Sequence, residues 1–299
     1  MSFQEARRDI LRLMGVGGVV FASGLAGAAG KSSKKSRADE DFFFLQLSDT
    51  HWGYTGVANP QGAATLPKVV QTINGVNVQP DFIVFTGDLT HTTDDDAIRR
   101  KRLTEFKGIA SGLKSQTRYF LPGEHDAAKD EGRAYRDLLG HTHYTFDHKG
   151  VHFVALDNVS DPAGAVGNAQ IDWLAADLKK VDRDARIVVL THRPLFDLQP
   201  DWDWATKDGS KVVDVLLGHK NVTVFYGHIH QENHHTTEHI AHHAARSLIF
   251  PLPAPGSVPK KAPLPWDPAA PFKGIGYRQV AVDTTTAPPR LTERSVDGA

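Results

Sequence analysis

The chain has 299 residues, 40% of them hydrophobic and 23% charged, which suits a globular protein of one large or two small domains. A formal net charge of −1 leaves no global electrostatic case for nucleic acid or an anionic membrane as partner. The absence of cysteine excludes a disulfide framework, a thiolate nucleophile and a Cys-ligated zinc or iron–sulfur site, whereas 16 clustered histidines point to metal.

Residues 1–29 have the three-part layout of a secretory signal. Arg7 and Arg8 precede Ile10 and Leu11, an uncharged stretch rich in Gly, Ala, Val and Leu runs from Leu13 to Ala29, and Ala26-Gly27-Ala28 supplies small residues at a cleavage spacing. The paired arginines predict Tat-type export, with the Tat translocon as a transient partner and the periplasm or exterior as destination. The apolar stretch is short and glycine-rich for a stable membrane anchor. Residues 30–41 read as a polar linker.

Buried-strand runs follow at Phe42–Leu47, Asp81–Thr86, Arg118–Leu121, Val151–Leu156, Ala185–Leu190 and Val222–Tyr226, with a last one at Tyr277–Val282. Helical stretches are predicted at Leu66–Val76, Asp94–Leu113 and Ala169–Val181; the acidic run Asp94-Asp95-Asp96 suits a helix N-terminus. Pro251 to Pro271 holds eight prolines and reads as an extended loop. The folded domain is expected to end near residue 285, leaving residues 286–299 as a polar tail. Alternating strands and helices imply an α/β layered core, whose ligands sit at the carboxyl ends of strands.

Five motifs fall at such strand ends: Asp49-Thr50-His51, Gly87-Asp88, Gly123-Glu124-His125, Thr191-His192 and Gly227-His228-Ile229-His230. Residues two apart at a strand end share a face, so Asp49 and His51 can reach one ion, and His228 and His230 repeat the spacing. Asp88 can offer one carboxylate oxygen to each of two ions. Mixed N/O ligation suits iron, manganese or zinc without choosing among them. Two such ions roughly 3.5–4 Å apart clamp a phosphoryl group and lower the pKa of a bridging water.

This series of motifs resembles the calcineurin-like metallophosphoesterase superfamily, from Phe42 to Thr285, and the Gln170-Ile171-Asp172-Trp173-Leu174 helix start resembles its cyclic-nucleotide and phosphodiesterase branch. The resemblance implies a four-layer αββα sandwich with two mixed sheets. It implies two divalent or mixed-valence transition-metal ions. Asp49, His51 and His230 would bind the first, Asp88 would bridge, and Glu124, His192 and His228 would bind the second. A metal-bridging hydroxide would attack a small-molecule phosphoester, a diester in preference, and His125 would face the substrate. A periplasmic metal-binding or redox-partner protein on the same fold is the competing expectation.

Two positions depart from the family pattern. Glu124 stands where the family has Asn, and His91 where members commonly place Asp three residues after the bridging Asp. The changes offset in formal charge, which predicts that His91 lies within reach of Glu124 or the substrate phosphate. Asp126, directly after His125, is expected to orient that imidazole. The tract His234, His235, His239, His242 and His243 reads either as an extra metal site or substrate-facing wall, or as a hairpin of exposed imidazoles. Trp202, Trp204 and Trp266 either line the cleft or serve packing.

Overall fold

A computed structural model describes residues 41–283 and 288–296. The export segment lies outside the described residues, and no described helix is long and apolar enough to cross a membrane.

Strand β1 (Phe42–Leu47) is followed by α1 (Gly62–Gly75), β2 (Phe82–Thr86), α2 (Asp96–Ser111) and β3 (Arg118–Leu121). Two short helices, α3 (Glu124–Ala127) and α4 (Arg133–Leu139), lead to β4 (Tyr144–His148), β5 (Val151–Ala155), α5 (Asn168–Leu178) and β6 (Arg186–Leu190). Next come α6 (Gly209–Leu216), β7 (Asn221–Tyr226), β8 (Asn233–Thr237), β9 (Ile240–Ala244), β10 (Gly276–Val282) and β11 (Arg290–Ser295). They form two mixed sheets, ordered β11-β10-β1-β2-β3 and β4-β5-β6-β7-β9-β8.

The central strands β1, β2, β6 and β7 are near-continuous apolar runs because both faces of each sheet are covered there. Successive side chains alternate between faces. Phe42, Phe44, Phe82 and Val84 point inward against Phe153, Val188, Leu190 and Phe225 of the other sheet. Phe43, Leu45, Ile83 and Phe85 point outward and pack with Leu66, Val69, Leu103 and Phe106 of α1 and α2. On the far side Val154, Val189 and Val224 meet Leu174, Leu178, Val212 and Leu216 of α5 and α6. The result is the expected αββα sandwich.

Helix α2 starts where the acidic run predicts: the Asp95 side chain caps it by accepting from the Ile98 N–H at 3.0 Å. The proline-rich segment is a loop, held by the Leu264 N–H donating to the Pro251 carbonyl.

The reading of residues 286–299 as a tail is corrected. Arg290–Ser295 is β11, paired antiparallel with β10 from Gly276↔Ser295 to Ala281↔Arg290. Its polar composition hid it; besides the ladder with β10, Glu293 pairs with the guanidinium of Arg278, which is wholly buried.

Candidate metal centre

All five motifs sit beyond the carboxyl ends of strands. Asp49 and His51 follow β1, Asp88 follows β2, Glu124 and His125 open α3 after β3, His192 follows β6, and His228 and His230 follow β7. The turns that place them are tight. Asp49, His51, Asp88, His228 and His230 all have φ between 41° and 65°, the left-handed region that non-glycine residues seldom occupy. Gly87 has φ +92°, and a Cβ there would lie 2.2 Å from Nδ1 of His192. A Cβ at Gly123 would lie 2.0 Å from Oδ1 of Asp88. Neither glycine could be another residue without displacing a ring or carboxylate of the site.

The side chains fall into two adjoining groups that share Asp88, with His51, His91 and His125 as a third group beside them. Asp49, His51, Asp88 and His230 form the first; Asp88, Glu124, His192 and His228 form the second, with ligand-type atoms in each within 4.8 Å of one another. In the first, His51 Nε2 lies 3.1 Å from His230 Nε2 and 3.4 Å from Asp88 Oδ2, and His230 Nε2 is 3.4 Å from Asp49 Oδ1. In the second, Glu124 sets Oε2 2.9 Å from His192 Nε2 and Oε1 2.9 Å from His228 Nδ1. Asp88 Oδ2 also lies 3.4 Å from His192 Nε2, so one carboxylate belongs to both groups.

Hydrogen bonds from behind fix which nitrogen of each ring carries the proton. His192 donates through Nδ1 to the Thr86 carbonyl at 2.7 Å. His228 donates through Nε2 to the Asp203 carbonyl, and His230 through Nδ1 to the Phe250 carbonyl. These bonds leave the other nitrogen of each ring, His192 Nε2, His228 Nδ1 and His230 Nε2, facing the site, where a metal ligand must present its lone pair. The fit to a cation shows in two more ways. With the His192 proton on Nδ1, His192 Nε2 and Glu124 Oε2 face each other at 2.9 Å as two buried acceptors, a costly state unless a cation bridges them. Burial pushes the His192 imidazole down, but Asp88 and Glu124 reverse this and hold its proton affinity well above the usual range. The field that attracts a proton there attracts a metal cation.

His125 stands at the rim. Its Nδ1 accepts from the Thr92 N–H at 3.2 Å, which leaves the proton of the neutral ring on Nε2, 3.9 Å from Asp88 Oδ2.

The expectation for Asp126 is corrected, and so is the Glu124 alternative for His91. Asp126 does not hold the His125 ring. Its buried carboxylate accepts from the N–H groups of Leu89, Thr90 and Gly123 and from the Thr90 hydroxyl, so it ties the Asp88 turn to the start of α3. Burial and the nearby Asp88 push it up to about 7. His91 does not reach Glu124. Its Nδ1 lies 3.3 Å from His51 Nδ1, and its ring stacks on His125 at 5.1 Å. Burial pushes it down to about 4, so it is neutral at physiological pH.

Sequence reading missed two cations. Arg193, buried next to His192, places Nε 3.7 Å from Glu124 and bonds Asp203 at 2.9 Å. Lys261, half-buried on the proline-rich loop, is pushed down by burial and pulled back up by Glu124, Asp203 and Asp88, which puts its ammonium in the field of the second group. Arg193 was legible as the neighbour of a motif histidine. Lys261 had no local signal, because only the fold brings its loop to the site. Trp202 and Trp204 pack in a separate aromatic cluster with Tyr226 and Ile229.

An αββα sandwich with paired histidine–carboxylate groups at its strand ends defines the metallophosphoesterase class. The calcineurin-like phosphoesterase family model matches residues 44–232, and the chain belongs to that family. It is 30% identical over 205 residues to a protein of Rhodococcus erythropolis described as a "Probable cyclic nucleotide phosphodiesterase"; the match covers 63% of this chain and 64% of that protein's length. Among solved structures, a dimetal phosphatase from Danio rerio is similar with TM-score 0.56 and 14% identity, over 86% of this chain and 99% of that one. A purple acid phosphatase from yellow lupin is similar with TM-score 0.61 and 14% identity, over 87% of this chain and 52% of that one.

Proposed function

We propose that the chain is an exported, dinuclear phosphodiesterase acting on small phosphodiesters, with cyclic nucleotides as the first substrate class to test. The observation that carries this reading is the sharing of Asp88 between two ligand groups. One carboxylate common to both groups suits two ions held side by side. Asp49, His51 and His230 would hold one ion, Glu124, His192 and His228 the other, and Asp88 both. Two ions there would polarise the phosphoryl group and supply an activated water at neutral pH.

The chain's own residues complete the chemistry. His125 presents its Nε2 proton toward Asp88 and is placed to protonate the leaving oxygen. Arg193 and Lys261 supply positive charge beside the second group, where the non-bridging phosphate oxygens of a bound diester would lie. Neutral His91, stacked on His125 and against His51, holds both rings in place. The diester preference is supported by the description of the Rhodococcus relative. Export rests on the twin-arginine segment; a Tat route would carry the chain folded, with its metals already loaded.

The test uses the purified full chain, an aryl phosphodiester and a 3′,5′-cyclic nucleotide. Chelation or Asp88→Ala is expected to lower turnover by more than about a hundredfold, in keeping with loss of a metal site. Unchanged hydrolysis after either treatment would overturn the reading. Metal bound in full with no turnover on diesters or monoesters would favour a binding or redox-partner role instead.

A further inference from the structure

The histidine tract after the last motif is the strongest feature that the metal centre does not absorb. It folds as the hairpin of β8 and β9 at the edge of the six-stranded sheet. In the register of that hairpin His234 lies directly opposite His243, and His235 opposite His242. Two histidine pairs therefore face each other across the strands, one on each face of the sheet.

We propose that His234 and His243 form a third transition-metal site, separate from the candidate centre, with Nδ1 of each ring as ligand. The two Nδ1 atoms are 2.7 Å apart, a hydrogen bond in which His243 donates to His234, so an ion enters between them when the His243 proton moves to its Nε2 and the rings part slightly. His234 donates through Nε2 to Glu232 Oε1 at 3.1 Å. A carboxylate on the far nitrogen leaves the near one with its lone pair and raises its basicity, as for ligating histidines generally. His243 is buried against Phe225.

The surroundings balance in charge. Arg278 and Arg246 oppose a cation, but Glu293 pairs with the first and Glu232 with the second. Two imidazole nitrogens completed by water suit zinc(II), copper(II) or nickel(II) better than magnesium or calcium. The opposite pair is not equivalent. His235 stacks on Phe196 at 3.8 Å, and its ring centroid stays 5.9 Å from that of His242. That pair is packing, and it serves as the internal control. None of these four histidines belongs to the groups around Asp88.

The experiment counts zinc ions per chain by equilibrium dialysis and elemental analysis. It compares the native full chain with His234→Gln, His243→Gln and His235→Gln. The first two variants are expected to bind one ion fewer than the native chain and to keep phosphodiester turnover within about twofold; His235→Gln is expected to bind the native number. His234 is partly exposed, so its variant remains informative if His243→Gln fails to fold. Equal counts in the native chain and in His234→Gln would overturn the proposal, as would loss of the ion only in His235→Gln. The readout is a difference between chains. A wrong count at the Asp88 centre would change the native total and leave that difference intact.

Discussion

Five of the seven residues gathered around the centre hold left-handed backbone conformations. Each such residue costs about 1–3 kcal/mol and persists only where its surroundings fix it. Here the fixing groups are visible: Asp126 clamps the Asp88 turn, and the His228 N–H donates to the Asp49 carboxylate. The geometry also decides whether the two unusual residues work together. His91 touches His51 and His125, while Glu124 touches His192 and His228. Glu124→Asn and His91→Asp are therefore expected to act additively on turnover and metal affinity, within about 0.5 kcal/mol in a double-mutant cycle. Glu124→Asn alone should weaken the second ion by about tenfold or more. A coupling above 1 kcal/mol would show that the two ends of the site communicate. The motif residues were legible because chemistry restricts them to a few residue types at set spacings. Their partners were not: adjacency in sequence suggested that Asp126 serves His125, and charge balance suggested that His91 serves Glu124, but the turns send both side chains elsewhere.

At the scale of elements, the apolar strands were readable because burial on both faces leaves an unbroken hydrophobic run. The strands that reading missed are those at the margins. β4, β8 and β11 are sheet edges of mixed or polar composition, and β9, just inside the edge, is hidden by His242 and His243. Glu293→Ala would leave Arg278 buried without its carboxylate, a loss of about 3–5 kcal/mol, measurable as a shift of the urea midpoint at constant slope. The histidine hairpin is partly what sequence suggested. It is a hairpin, yet His242 and His243 are buried instead of exposed. Burial holds His242 down to about 4, against an ordinary value of 6.5. The unfolded chain therefore takes up a proton there before the folded one does, and stability present above pH 6.5 is lost as pH falls toward 4. The loss is at most about 3 kcal/mol. His242→Leu should flatten the acid limb of stability against pH by about that amount, and an unaltered limb would assign acid sensitivity to other groups.

For the whole molecule, the ligand groups draw on both sheets. Asp49, His51, Asp88 and Glu124 come from one, and His192, His228 and His230 from the other. Ions bound there would clasp the sandwich at its strand ends and bind the folded state alone. At a thousandfold excess over the dissociation constant, one ion adds about 4 kcal/mol, equivalent to roughly 8–16 °C in Tm for a domain of this size. Chelator in a thermal scan is expected to lower Tm by that order, and Asp88→Ala to erase the difference between chelated and loaded samples. An equal Tm in all four samples would mean that the ions contribute nothing to folding.

The ligands' order along the chain has a consequence for synthesis and turnover. The first follows β1 and the last follows β7. A ribosome-bound or proteolysed chain that stops short of His230 can offer the first ion Asp49, His51 and Asp88 but not its closing imidazole. One that stops short of His192 lacks both rings of the second group. Metal retained at both groups would thus report that a chain extends at least through His230, a check on fragments that break off earlier.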